Sequence, residues 1–286
     1  MNPETRSCQN CKEEFLIESE NFQFYQKLGV PAPTWCPHCR FIRKSMFLNV
    51  RSIYKRSCGN CRKPIISMYH TDAPFPVWCV TCHVGDGWDA RDYARDYDFS
   101  KPFFEQFKDL TNTVPHRALA QNERNGEGCE YSNFCFTSKD IYLSFMAIAS
   151  EHIKYSDYVM RNNKNCLDCL VFKDNNQGYE LIQASTNYNS TFLVESDRCV
   201  GSAFLYACTN CVNCCMSSNL RNKSYVFKNE QLTKEAYEKA VALLKLDTYS
   251  GQLKAKEEFN TITKGAIHRY AYLKNVVNVV GDFIAN

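Results

Sequence analysis

Between residues 8 and 82 the chain carries four Cys-x-x-Cys pairs: Cys8/Cys11, Cys36/Cys39, Cys58/Cys61 and Cys79/Cys82. No other feature limits the fold as strongly. Two residues between cysteines let a tight turn aim both sulfurs at one ion about 2.3 Å away, and one pair supplies half a tetrahedron. Eight thiols so spaced predict two zinc ions, each held by two pairs. The rival chemistry is disulfide bonding. Residues Met1 to Arg6 are polar, without an apolar signal segment, and no apolar run reaches the ~18 residues of a membrane span, so the chain is expected to be cytoplasmic. Thiols stay reduced there, which favours metal over disulfides.

Residues 40 to 57 separate the second pair from the third. A cross-braced site keeps those pairs almost adjacent, so the sites are expected in sequence: Cys8, Cys11, Cys36 and Cys39, then Cys58, Cys61, Cys79 and Cys82. His38 and His83 adjoin knuckles and are the substitute ligands, although eight cysteines suffice. A helix leaving Cys39 would make the first site treble-clef-like. A strand over Pro64 to Tyr69 would make the second a plainer zinc ribbon. Neither module can fold on its own core; bound metal would supply on the order of 10 kcal/mol.

At 286 residues and 44% apolar content, two or three folded domains fit. The expected layout is a mainly β, mixed chain. Its parts are a first zinc module with a basic helix (1–56), a second zinc ribbon (57–83) and a connector (84–124). The connector's amphipathic helix would present Phe103, Phe104, Phe107 and Leu110 on one face. A repeat region (125–230) follows, and then a helical hairpin with the start of a further rung (231–286).

The repeat region rests on a recurring polar phrase, beginning at Ser138, Ser150, Asn163, Asn176, Asn187, Ser196, Cys208 and Arg221. Successive starts step by 12, 13, 13, 11, 9, 12 and then 13, and short β-prone runs follow them. Such regularity predicts a parallel β-solenoid in which each unit is half a coil; an antiparallel sandwich is the rival. Cys166, Cys199 and Cys211 would share one repeat position and stack as small apolar fillers. Cys208, Cys211, Cys214 and Cys215 admit three readings: part of that ladder, a third zinc site, or an iron–sulfur cluster. The fourth cysteine followed by proline, usual in bacterial ferredoxins, is missing.

Several phrases resemble a family of zinc-ribbon proteins with paired knuckles and a cysteine-rich repeat region. They are Phe24-Tyr25-Gln26-Lys27, the run from Val30 through Cys36-Pro37-His38-Cys39 to Arg40, Gly87-Trp88-Asp89, the run from Asp98 to Phe104, and Asn219 to Lys223. The resemblance spans nearly the whole chain. It implies paired zinc knuckles ahead of repeats and no established activity. Its members continue past the phrase matched by Gly281 to Ile284, so the resemblance implies a shortened chain.

Function is less legible. From Arg40 to Lys63 there is no acid, while Arg40, Arg43, Lys44, Arg51, Lys55, Arg56, Arg62 and Lys63 mix with Phe41, Phe47 and Tyr54. This pattern suits RNA or a ribonucleoprotein: cations for phosphates, rings for bases. Arg43, Lys44, Arg51 and Lys55 would share one side of a helix, with Phe41 and Leu48 packed inward. The alternatives are a solvated face, a solenoid scaffold for a protein partner, and a β-helix enzyme. The enzyme reading is the least supported, because His152, Asp157, Glu180, Glu195, His116 and His268 form no spaced constellation with a nucleophile, and four-thiolate zinc has no open position.

Overall fold

The computed structural model describes residues 2–121, 127–274, 276–281 and 284–285. The chain divides into two compact units, 1–52 and 53–286.

In the first unit, β1 (Glu4–Ser7) and β2 (Glu14–Ile17) form an antiparallel hairpin. Helix α1 (Ser19–Leu28) ends at Gly29, whose left-handed φ of 66° reverses the chain. Helix α2 (Pro37–Ser45) starts at the second knuckle, with Cys36 as its N-cap and Pro37 in its first turn. The core is Phe15, Ile17 and Phe22 with Cys8, Cys36 and Cys39. Half of that core is cysteine, which leaves so small a unit little apolar burial of its own.

The second unit opens by repeating this plan. β3 (Tyr54–Ser57) and β4 (Pro64–Ser67) form a matching hairpin, in which Cys58, Asn60 and Cys61 occupy the places of Cys8, Asn10 and Cys11. Even the left-handed residue recurs, at Lys12 (φ 67°) and Arg62 (φ 65°). β5 (Val77–Trp78) leads to the second knuckle and the short α3 (Val80–Val84), with Cys79 as N-cap. The second module therefore has a helix at its second knuckle too; it is a compact version of the first rather than a plainer ribbon.

Trp88 packs on this module, its ring 5.4 Å from Trp78 and 5.3 Å from His83, and its Nε1 donates to the His83 carbonyl at 2.8 Å. Helix α4 (Phe103–Thr113) follows, but its expected apolar face is open, Phe104 being 80% exposed. β6 (His116–Arg117) then pairs in parallel with β5. The Met68 N–H donates to the Ala118 carbonyl at 2.8 Å, sewing the module to the segment that leads from β6 into the repeats.

The repeats are a parallel β-solenoid of about 8 turns over residues 135–227. All the solenoid's strand-to-strand pairings are parallel except the closing hairpin of Val226–Phe227 with Glu230–Gln231, which excludes the sandwich. Register corrects the coil length. Asn176 pairs with Tyr188, Thr191 with Ala203 and Ala203 with Cys215, a constant step of twelve, so one unit is a whole turn. A turn has four sides of three residues. Every third residue from Cys129 to Val159, and again from Asn163 to Ser217, is buried inside. The residue preceding each inward one is left-handed at nearly every corner, including Thr137, Val171 and Thr186. The single four-residue step, from Val159 to Asn163, lengthens that turn by one and sets Glu151 opposite Lys164.

That geometry explains the polar phrase. At the Asn and Ser corners, an inward side chain accepts the backbone N–H of the residue one turn later. Ser150 N–H reaches Ser138 Oγ (3.2 Å), Asn175 N–H reaches Asn163 Oδ1 (3.1 Å), Asn187 N–H reaches Asn175 Oδ1 (3.0 Å) and Cys199 N–H reaches Asn187 Oδ1 (2.8 Å). A buried donor without an acceptor costs about 1–3 kcal/mol, so the interior must be studded with Ser and Asn. The shorter step from Asn187 to Ser196 is three sides of a turn: the phrase moves to another corner there.

Helices α5 (Lys234–Ala242) and α6 (Tyr249–Lys264) lie on the wall rather than standing off it. Tyr237, Ala255 and Phe259 pack on the outward Phe192, Phe204 and Met216. A Cβ on Gly251 would sit 2.1 Å from the Lys245 carbonyl oxygen, so only glycine permits α6 to begin there. In the segment expected to start a further rung, Leu273–Lys274 pairs in parallel with Ile284–Ala285 as a separate two-stranded sheet. Asp282 and Phe283, and the start of the repeats at 125, lie outside the described residues.

Candidate metal centres and the basic segment

Within each module a β-hairpin supplies one pair of cysteines and a helix start the other. Cys8, Cys11, Cys36 and Cys39 bring their four sulfurs within 4.8 Å of one another, and so do Cys58, Cys61, Cys79 and Cys82. The sequential pairing holds. Cys11 and Cys36 Sγ lie 3.8 Å apart, Cys61 and Cys79 Sγ 3.9 Å. A tetrahedron with bonds of about 2.3 Å has edges of about 3.8 Å, so the donor set fits one tetrahedral ion per module.

Backbone donors surround the sulfurs in the same way in both modules. Cys36 N–H donates to Cys8 Sγ at 3.2 Å and Cys79 N–H to Cys58 Sγ at 3.2 Å. Cys39 N–H donates to Cys36 Sγ at 3.4 Å and Cys82 N–H to Cys79 Sγ at 3.4 Å. Burial opposes ionisation of Cys8, yet N–H groups of Cys36, Cys11 and Asn10 outweigh it and bring the thiol down to about 6. Burial opposes ionisation of Cys58 likewise, and N–H groups of Cys79, Cys61 and Asn60 bring it to about 6. Cys79 is pushed up to about 12 by burial and by the neighbouring thiols Cys82 and Cys58. In both modules the first thiolate forms readily and its neighbours resist sharing the charge, which is the electrostatic demand that a divalent cation answers. His38 and His83 belong to neither group of donors.

Among the described residues, Cys208, Cys211, Cys214 and Cys215 do not assemble a comparable donor set. Cys208, Cys211 and Cys214 point into the solenoid, whereas Cys215 points outward and packs under the C-terminal helices. One wall of the coil separates them. The stacking expectation needs one change as well: Cys199 and Cys211 lie one turn apart and share a corner, but Cys166 shares its corner with Gly178 and Ser190.

The basic segment is not one helical stripe. Helix α2 ends at Ser45, so it carries Arg40, Arg43 and Lys44 only. Arg51 follows in irregular chain, while Lys55 and Arg56 lie on β3 of the second unit. Phe41 and Leu48, expected inside, are 68% and 54% exposed. The reason is the small size of the module, whose core is filled by α1 and the knuckles before α2 can contribute more than Cys39. Arg43 stacks its guanidinium 5.2 Å from the Trp35 ring, and Arg56 donates Nη1 to the His70 carbonyl at 2.8 Å.

The histidines and Glu180, candidates for catalysis by residue type, each engage a separate partner. His152 Nδ1 lies 3.0 Å from Asp140 Oδ2, Lys256 Nζ is 2.6 Å from Glu180 Oε1, His268 Nδ1 is 2.8 Å from Tyr206 Oη, and His116 Nε2 is 2.9 Å from the Thr111 carbonyl. No helix among the described residues is long and apolar enough to cross a membrane. Comparison with protein-family models, with curated proteins and with solved structures finds no match.

Proposed function

We propose that both four-cysteine sites hold structural zinc and that the chain is a binding protein whose first module contacts single-stranded RNA through α2. Four thiolates at tetrahedral separations favour zinc, and they leave it no open coordination position for a reacting water. The observation that carries the RNA reading is the end of α2. Phe41, Met46 and Phe47 are 68%, 80% and 90% exposed beside the exposed Arg43 and Lys44. No acid occurs between Glu20 and Asp72, while nine Lys and Arg do, so no carboxylate within that run of sequence neutralises the helix end. Exposed rings among unopposed cations suit bases and phosphates together.

The test uses the full chain and a fluorescent single-stranded RNA. Wild type binds with an affinity that falls steeply as salt rises. Reversing Arg43 and Lys44 to Glu lowers affinity and reduces the salt slope by about 1.4, at about 0.7 per phosphate contact on single strands, without altering zinc content. Equal binding by wild type and variant at low salt makes α2 a solvated face. A second reading, a protein-interaction scaffold, is favoured by the length of the solenoid wall and its uncovered sides.

A further inference from the structure

One side of the solenoid carries aromatic rings in turn after turn: Tyr131, Tyr142 and Tyr155 early, then Tyr179, Phe192 and Phe204. The two stretches are treated differently. Phe192 and Phe204 stack at 4.3 Å, and Phe259 of α6 covers them, 5.6 Å from Phe204. No such cover lies over the earlier three among the described residues. Tyr131, Tyr142 and Tyr155 are 43%, 40% and 54% exposed, with ring centres 5.6 and 5.8 Å apart.

Tyr131 also lines a cleft of about 590 Å³ between β3, β4 and the first turns of the repeats, with Lys55, Arg56, Ile65, Ile66 and Leu119. Its size is that of a small-ligand pocket, and its walls join an apolar floor to two cations. On the tyrosine side, Lys154 pairs in register with Tyr142 and stands beside Tyr155. The acids nearby among the described residues are Glu130, which lines the cleft, and the exposed Asp168, which lies beside Tyr155 one turn on and donates its N–H to the Lys154 carbonyl at 3.2 Å.

We infer that this tyrosine row and its cleft form a second single-stranded RNA track. One base enters the cleft over Ile65, Ile66 and Leu119, further bases stack on Tyr142 and Tyr155, and Lys55, Arg56 and Lys154 face phosphates. Among the described residues these three cations face two carboxylates, Glu130 and Asp168, so the row keeps an excess of positive charge for a phosphate backbone. Stacking rather than base-edge pairing makes the track tolerant of sequence. This inference deepens the RNA reading above and rests on it, but it names a different unit of the chain and different residues.

The test is ultraviolet crosslinking of full-length protein to a short oligomer of 5-bromouridine, with crosslinked residues mapped by mass spectrometry, beside affinities for the same oligomer. Expected are crosslinks at two or more of Tyr131, Tyr142 and Tyr155. The triple change to Ala should weaken binding about tenfold or more, and the triple change to Phe should bind as wild type, because stacking needs the ring and not the hydroxyl. Far-ultraviolet circular dichroism of each variant checks that the wall is intact. Crosslinks confined to other residues, with the Ala variant binding as wild type, overturn the track.

The Glu variant of Arg43 and Lys44 separates the two readings. Loss of binding in that variant but not in the Tyr-to-Ala variant leaves α2 as the contact and removes the track. The reverse result leaves the track and removes α2. If the Ala variant keeps RNA affinity but changes a wild-type dimer into a monomer in sedimentation, the tyrosines pair two copies of the chain and the track is overturned.

Discussion

The four-cysteine modules and the solenoid reach order by opposite routes. The first module, spanning 1–52, has one small core, half of it cysteine, and its two halves meet at a single cluster of four cysteines. The solenoid repeats one contact, between a residue and its neighbour a turn further on, so that each turn leans only on the turns beside it. Losing one ligand removes a quarter of the set that joins a module's halves. Losing one ladder side chain removes one bond of many. Cooperativity is therefore concentrated in the first region and distributed in the second.

The largest expected effect breaks the comparison at the modules. Cys36→Ser, or treatment with a chelator, should unfold the first module, since a structural zinc ion contributes on the order of 10 kcal/mol to so small a fold. The strand signal of the repeats should persist in circular dichroism, and elemental analysis should fall from two zinc ions per chain to one for the variant. Joint loss of both regions would mean that the repeats depend on the first unit.

A sharper version asks whether the module stands alone. A fragment spanning 1–52 should bind one cobalt ion with the absorption of tetrahedral thiolate coordination, since all four of its sulfurs lie within that unit. Failure of the fragment to bind would contradict sequential pairing. Inside the solenoid, Asn175→Leu leaves Asn187 N–H without its acceptor and should cost about 1–3 kcal/mol in a denaturant titration. Hydrogen exchange should quicken first at Asn187 and Cys199, not at Cys135, if order there is local. The smallest effect belongs to the outside of the wall. Lys164 pairs with Glu151 at 3.0 Å, both half-exposed, and Lys164→Ala should leave Tm unmoved within error.

The backbone of the solenoid carries a cost that the sequence conceals. Left-handed φ recurs at three-residue intervals on non-glycine residues, some of them β-branched, and isolated L-residues adopt it at about 1–2 kcal/mol each. Asp and Asn take many of these corners, among them Asp140, Asn165, Asp168, Asn189, Asn210 and Asn213, which is where the cost is least. Thr137 and Val171 take it because the ladder on either side leaves no other conformation. The polar phrase is thus legible in the sequence as a period, while its inward members look there like surface turns.

By itself the sequence determined the two donor sets, their sequential pairing, the parallel repeat and the helices after Thr233. All of these rest on spacings within a few residues or on a repeated period, which chain geometry converts directly into structure. It did not determine that a unit is a whole turn, that Cys215 faces away from Cys208, Cys211 and Cys214, that α2 stops before Arg51, or that α6 covers Phe192 and Phe204 while Tyr142 and Tyr155 stay open. Each of those depends on contacts at least a full turn apart in the chain, or on how little room a small core has left. Burial and partner choice at such distances are properties of the packed fold, because the free energy that selects them exists only once the turns are stacked.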